Sequence, residues 1–409
     1  MSDTQKGTGP VEFVIMLAML MSMMALAIDT VLPALPDMGT ELGVIDATEN
    51  QLIISFLFAG LGLGQLVYGP LSDGIGRKPA VYVGIVFFVI GCLLSLFATD
   101  FETMLAGRAL QGFGAAATRI VTVALVRDSL AGRAMARVMS FIMAVFILVP
   151  VLAPMAGQAI LWLGDWRLIF IFFLVLAAVA TTWFGIRQPE TLPKPKRRPL
   201  SLSGIGGGIR NAATNRVTLG YTVATGFVFA PFLSYISASQ QVFQNIYGTG
   251  EAFVFYFAAG AATVGISSVV NGRIVMRYGM RRLLRLALSG QVLASLVLIA
   301  WMTATGHQPG IVGWMIYLMV CFFGVGMLFG NMNAVAMEPM GGNAGAASAF
   351  IGFFSTAVGL PIGVAIGQAM DGTVLPLPVG FAICSSLSLI VARWADKGLP
   401  ERPVGEPAT

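Results

Sequence analysis

Three ionisable side chains stand inside long apolar runs of this sequence: Asp29, Arg108 and Arg119. A charge in hydrocarbon costs roughly 2.5–3.5 kcal/mol on insertion scales, so each asks for a partner, a wet cavity or a route to the headgroups. At 1.5 Å rise per residue, Asp29 lies about 10 Å and Arg108 about 7 Å to the same side of the midplane. At that level the two are positioned to pair. Arg119 follows eleven residues after Arg108, close to a whole number of helical turns. The two guanidinia therefore share a helix face, with Gln111 and Gly112 one turn on, and such a stripe suits an aqueous cavity. For Arg119, near the end of its run, snorkelling to the headgroups is the competing reading. A carboxyl in a low-dielectric cleft favours its protonated form, whereas a nearby guanidinium favours the ionised one. A site that alternates between these conditions would make Asp29 a proton carrier; a fixed ion pair that only aids packing is the alternative.

These residues must be positioned by helices in a bilayer. The chain is 57% hydrophobic and 11% charged, against roughly 25% charged in a soluble domain. Apolar runs of about 20 residues, enough to cross ~30 Å of hydrocarbon, fall at 11–33, 50–70, 79–98, 102–124, 138–161, 165–186, 218–239, 250–271, 283–303, 311–333, 344–369 and 375–394. They exceed the ~10 residues of a barrel strand and do not alternate, so an all-α integral membrane protein is predicted. An apparent cleavage site at Ala25-Leu26-Ala27 is set aside, because removing the first run would break the topology.

Positive charge is one-sided. Arg77, Lys78, Arg127, Arg133, Arg137, the stretch 187–216 and Arg273 to Arg285 lie on one side, joined by Lys6, Arg393, Lys397 and Arg402 at the ends. The other side holds Arg167 among Asp37, Glu41, Asp46, Glu49, Asp100, Glu102, Glu251 and Asp371. By the positive-inside rule both termini are cytoplasmic and the spans are even in number. The net charge of +5 is thus a topology signal, and no nucleic-acid partner is expected.

Prolines 189, 193, 195 and 199 among Lys194, Lys196, Arg197 and Arg198 mark a cytoplasmic linker; a lipid-binding basic strip is the other reading. The predicted organisation is a six-helix bundle over 1–188, a linker over 189–217, a second six-helix bundle over 218–394 and a tail over 395–409. The halves echo each other in two short basic turns, Asp73-Gly74-Ile75-Gly76-Arg77-Lys78 and Met276-Arg277-Tyr278-Gly279-Met280-Arg281-Arg282. Pseudo-symmetric halves are a habit of secondary transporters, which bind substrate near the midplane.

Enzyme chemistry finds little footing. His307 is the sole histidine and sits in an outer loop; no carboxylate pair or Cys/His cluster lies in the spans. Cys92, Cys321 and Cys384 are each in apolar runs, with no metal-ligand spacing. No lysine precedes Ser or Thr, so no phosphate-binding loop of an ATP-driven pump is present.

Specific motifs carry a resemblance. Gly69-Pro70-Leu71-Ser72-Asp73-Gly74-Ile75-Gly76-Arg77-Lys78 resembles the signature between spans two and three of the major facilitator superfamily. Arg108-Ala109-Leu110-Gln111-Gly112 resembles its fourth-helix motif, and Val149 to Gln158, with Pro150, Pro154 and Gly157, its antiporter motif. Asp29-Thr30-Val31-Leu32-Pro33-Ala34-Leu35-Pro36, Val126-Arg127-Asp128 and Ala344-Gly345-Ala346-Ala347-Ser348-Ala349 are similar to the bicyclomycin/chloramphenicol-resistance branch of the twelve-span drug:proton antiporters.

The resemblance implies a multi-pass protein of the bacterial inner membrane that exports small amphipathic compounds such as antibiotics by proton antiport. It would work as a monomer, without a cofactor. Asp29 would be the proton and substrate carboxylate and Arg108 its modulator. Asp73, Arg77 and Asp128, with Gly69 and Gly76, would form a conformational latch; Pro150, Pro154 and Gly157 would set the packing of the fifth span. There are departures: Gly74 stands where a basic residue is usual, Ala153 and Gln158 where glycine is usual, and Arg119 is additional. A second buried cation leaves symport or uniport of a metabolite such as an organic acid as the alternative. Softer cavity candidates are Gln111, Tyr235, Asn331 and Asn333, with Gln240, Gln241 and the Met16, Met19, Met23 series beside them.

Overall fold

A computed structural model describes residues 10–197, 202–370 and 372–397. Lys6, Arg198, Asp371, Arg402 and most of the tail lie outside the described residues. Twelve helices among those described are long and apolar enough to cross a membrane, and no strand occurs among them.

The chain divides into two compact units, Met1–Gly206 and Gly207–Thr409. In the first, α1 (Pro10–Asp29) and α2 (Leu35–Glu41) together make the first span, followed by α3 (Leu52–Ile75), α4 (Arg77–Leu96), α5 (Phe101–Ser129), α6 (Gly132–Leu161) and α7 (Arg167–Arg187). The second contains α9 (Arg216–Gln240), α10 (Phe253–Tyr278), α11 (Met280–Thr305), α12 (Ile311–Met337), α13 (Ala344–Gln368) and α14 (Pro376–Asp396). Between the two sets runs α8 (Leu202–Thr214), whose Ala212 is buried in the core of the second unit with Tyr221 and Phe350. Sequence reasoning read this stretch as plain linker, because Gly206-Gly207-Gly208 dilutes any helical signal; one apolar face packed on a neighbour is enough to hold it.

Lipid offers no hydrophobic drive between helices, so small residues that permit close backbone approach decide which helices touch. α5 is the hub of the first unit. A side chain at Gly60 of α3 would collide with the Ala109 carbonyl of α5, and one at Gly112 of α5 with the Leu57 carbonyl of α3. In the second unit, α9 and α13 meet the same way, with Gly359 against the Gly226 carbonyl and Gly363 against that of Ala230.

The acidic residues at the poorly basic end do local structural work. Asp100 caps α5 by accepting from the Thr103 N–H at 2.8 Å, and Asp46 accepts from the Thr48 N–H at 2.8 Å. Those bonds hold both carboxyls below the usual carboxylate range. Arg167 joins Glu41 at 2.7 Å, and the Trp166 indole also donates to Glu41 at 2.7 Å, tying the end of α2 to the start of α7.

Candidate functional site

Proline explains where the first span breaks. Pro33 has no N–H to offer the Asp29 carbonyl, and Pro36 has none for Leu32. The α-helix accordingly ends at Asp29, passes through a turn at Thr30 and Val31 and a 3₁₀ segment over Leu32–Ala34, and resumes as α2. Helix ends leave carbonyls without intrahelical donors. The break therefore creates a polar backbone site deep inside an apolar span.

Arg108 serves that site. It is fully buried. Its Nη2 donates to the Ala27 carbonyl of α1 at 2.7 Å, its Nε to the Ile53 carbonyl of α3 at 3.2 Å and its Nη1 to Gln111 Oε1 at 2.5 Å. Gln111 in turn donates to Cys92 Sγ on α4 at 3.1 Å. One guanidinium thus ties α5 to α1 and α3, with its amide partner reaching α4.

The ion pair expected between Asp29 and Arg108 is not formed. Asp29 is buried, yet no hydrogen bond or ion pair to its carboxylate is found among the described residues. The reason is competition: the helix break frees a carbonyl two residues before Asp29, and Arg108 donates to that oxygen instead. The neighbouring Thr30 hydroxyl is also buried without a hydrogen-bond partner among the described residues.

The break is braced from a third helix. A Cβ at Gly157 of α6 would collide with the Thr30 carbonyl and come within 3.4 Å of the Pro33 ring. Pro154 and Pro150 lie inside the same helix, about one and two turns earlier. The glycine of the antiporter-like motif therefore rests on the Thr30–Val31 peptide unit, one residue beyond Asp29.

Arg119 shares the helix face of Arg108 by spacing but not its environment: it is exposed, with no ion pair among the described residues, while Thr118 and Val121 beside it are buried.

At the basic end of the first unit, Gly76 turns the chain with φ +110, a conformation that favours glycine, and Arg77 opens α4. Arg77 is almost wholly buried and meets Asp73 at 2.5 Å, Asp128 at 2.7 Å and the Ser72 hydroxyl at 2.8 Å. Sequence reasoning missed Glu190, whose carboxylate accepts from the backbone N–H groups of Arg77 at 3.0 Å and Lys78 at 3.1 Å. It thereby caps α4, where an anion is favoured by the helix dipole. The available signal was a lone carboxylate in a stretch of cations. Gly69 joins the cluster only through its carbonyl, which accepts from the Ser72 hydroxyl at 2.9 Å, and a Cβ there would meet open space.

The second unit repeats the arrangement with different residues. Gly279 turns with φ +78, and Arg281 meets Glu338 at 2.7 Å and Asp396 at 2.9 Å. Tyr221 donates its hydroxyl to Asp396 at 3.0 Å. None of Glu338, Asp396 or Tyr221 stood out in the sequence, because the partners come from three helices.

The softer candidates scatter. Tyr235 is buried among Phe257 and Phe322, with ring centroids 5.8 and 4.6 Å away. Asn331 is buried and exchanges amide hydrogen bonds of 2.8 and 3.2 Å with Asn271 of α10, a residue the sequence reading passed over. Asn333 is exposed. Gln240 donates to Gln244 at 2.7 Å, and Gln241 donates to the Met370 carbonyl at 3.0 Å.

Known proteins place this geometry in context. The sequence profile described as Major Facilitator Superfamily matches residues 15–364. The chain is 31% identical to the bicyclomycin resistance protein homolog of Haemophilus influenzae, over 92% of this chain and 94% of that one. It is 29% identical to the MFS-type transporter YdgK of Bacillus subtilis, over 95% and 96% of the two chains. It is 28% identical to the multidrug resistance protein MdtL of Escherichia coli, over 91% and 93%. Among solved structures, a D-xylose-proton symporter superposes with TM-score 0.74 at 14% identity, over 95% of this chain and 98% of that one. The human organic anion transporter MFSD10 superposes with TM-score 0.70 at 17% identity, over 94% and 99%. Two six-span units, a basic turn closed on carboxylates in each, and a match over most of the length agree: the chain belongs to the major facilitator superfamily and is a membrane transporter of small molecules, not an enzyme.

Proposed function

We propose that this transporter exports small amphipathic compounds, antibiotics among them, across the bacterial inner membrane in exchange for protons, by alternating access. The observation that carries the proposal is Asp29, a buried carboxyl at a helix break whose expected counter-ion, Arg108, donates instead to backbone carbonyls and Gln111. A carboxyl in that setting binds a proton or a cargo group without first breaking an ion pair. Asp29 would take up a proton when the site faces the outside and release it inward, with cargo binding in the deprotonated state. Arg108 would hold the broken helix in register while this happens. The turn clusters around Arg77 and Arg281 would serve as latches whose making and breaking accompanies the conformational change. The names of the Haemophilus influenzae and Escherichia coli relatives, bicyclomycin and multidrug resistance, support export of such compounds.

In this reading the chain works as a monomer with both termini cytoplasmic, on the one-sided distribution of its cations. It needs no cofactor, the proton gradient being the energy source. The test is transport in inside-out vesicles. Accumulation of a fluorescent amphiphile on acidifying the lumen, abolished by a protonophore, is the expected result; accumulation driven by the opposite gradient would overturn export.

Exposed Arg119 favours a second reading, a proton-coupled symporter or uniporter of an organic acid. Arg119→Ala is expected to shift the profile of accepted compounds away from anions, with little change in the amount of folded protein. Resistance tests against neutral, cationic and anionic compounds check this, and an unchanged profile would place Arg119 among the snorkelling residues.

A further inference from the structure

The second unit carries a cleft that neither the proton site nor the turn clusters use. It has a volume of about 440 Å³ and lies between α10, α11 and α12, lined by residues such as Ile274, Leu286, Gly290, Val320 and Phe323. That size falls within the ~300–1,000 Å³ of small-molecule pockets. The lining is almost wholly apolar, and Leu286 is 61% and Val320 47% exposed, so the cleft opens outward from the helix surfaces. At its basic end stands Tyr278, with the Arg277 guanidinium 5.4 Å and that of Arg282 6.0 Å from the centre of its ring. Arg281 and Arg285, their neighbours, are bound to carboxylates; Arg277 and Arg282 meet none among the described residues. An apolar slot that ends in two exposed cations at the level of a helix turn has the polarity of a phospholipid: chain inward, phosphate at the rim.

We propose that this cleft binds an anionic phospholipid, one acyl chain lying between α10, α11 and α12 and the phosphate seated between Arg277 and Arg282. Paired cations flanking an apolar slot select charge at the headgroup, since each basic side chain near the surface adds to the attraction of an anionic lipid. Tyr278 stiffens the pair through its ring face. Gly290 has open space where a side chain would stand, so its lack of a Cβ leaves room for the chain. The site is independent of the cargo and of Asp29.

Native mass spectrometry of the delipidated full-length protein in detergent tests this. Phosphatidylglycerol is expected to bind about tenfold or more tighter than phosphatidylcholine of identical chains. The double variant Arg277→Gln, Arg282→Gln is expected to remove that preference. Gly290→Leu, which fills the slot, is expected to weaken both lipids. Glycerol phosphate, the headgroup without chains, is expected not to bind. Equal binding of the two lipids by the unaltered protein would overturn the proposal without reliance on any variant. So would a preference that survives the double substitution, binding untouched by Gly290→Leu, or glycerol phosphate binding as well as the lipid does.

Discussion

Asp29→Asn is expected to abolish proton-driven transport while the protein reaches the membrane in normal amount. The two side chains are nearly isosteric, and no ion pair or hydrogen bond to the Asp29 carboxylate is found among the described residues, so the substitution breaks no structural tie. It removes the one thing an amide cannot do, which is to bind and release a proton. A buried side chain whose role was packing alone would respond in the opposite way, with transport retained. The measurement is accumulation in inside-out vesicles across a range of lumenal pH, beside the amount of protein in the membrane. A profile in which the variant still follows the proton gradient would take Asp29 out of the mechanism.

Gly157→Val is expected to cut transport sharply, and Gly157→Ala to do so more mildly. Even the alanine methyl would overlap the Thr30 carbonyl, a backbone atom that cannot rotate away. Either α6 withdraws or the segment after Asp29 shifts, and overpacking of this kind costs ~1–3 kcal/mol. That strain falls on the peptide unit next to the proposed proton site, so activity is expected to fall further than stability. Gly330→Ala is the control, since a Cβ at Gly330 would meet open space. Thermal unfolding in detergent and vesicle transport, measured on the same preparations, separate the two effects. Wild-type transport by Gly157→Val would show that the helix break tolerates movement.

How much was legible in the sequence differs from residue to residue. The spans were, because bilayer thickness fixes their length and composition, and the helices in the structure overrun the predicted ranges mainly at their ends, as with α2 continuing the first span to Glu41. Asp29 and Arg108 were conspicuous, because each is an expensive residue where it stands. Their relation was not. Pairing was the natural expectation from depth alone, but depth says nothing about which carbonyls a helix break leaves bare. Glu190 escaped notice because the stretch was read as plain cytoplasmic linker, whereas its carboxylate folds back onto the N-terminus of α4. Asn271 escaped because a single amide in a span gains meaning only when its partner, Asn331, is known.

By itself the sequence determined the class of molecule: twelve apolar runs, a one-sided spread of cations, prolines that must break the first span, and a carboxyl placed where it costs energy. Those are one-dimensional quantities, set by composition, by residue spacing and by the absent N–H of proline. Tertiary structure decided the partners. Which oxygen a guanidinium bonds to, which glycine lies against which carbonyl and which carboxylate closes a turn depend on atoms far apart in the chain and a few ångströms apart in space. Short-range hydrogen bonds in a low-dielectric interior choose among such partners by geometry, and that geometry exists only once the helices have packed.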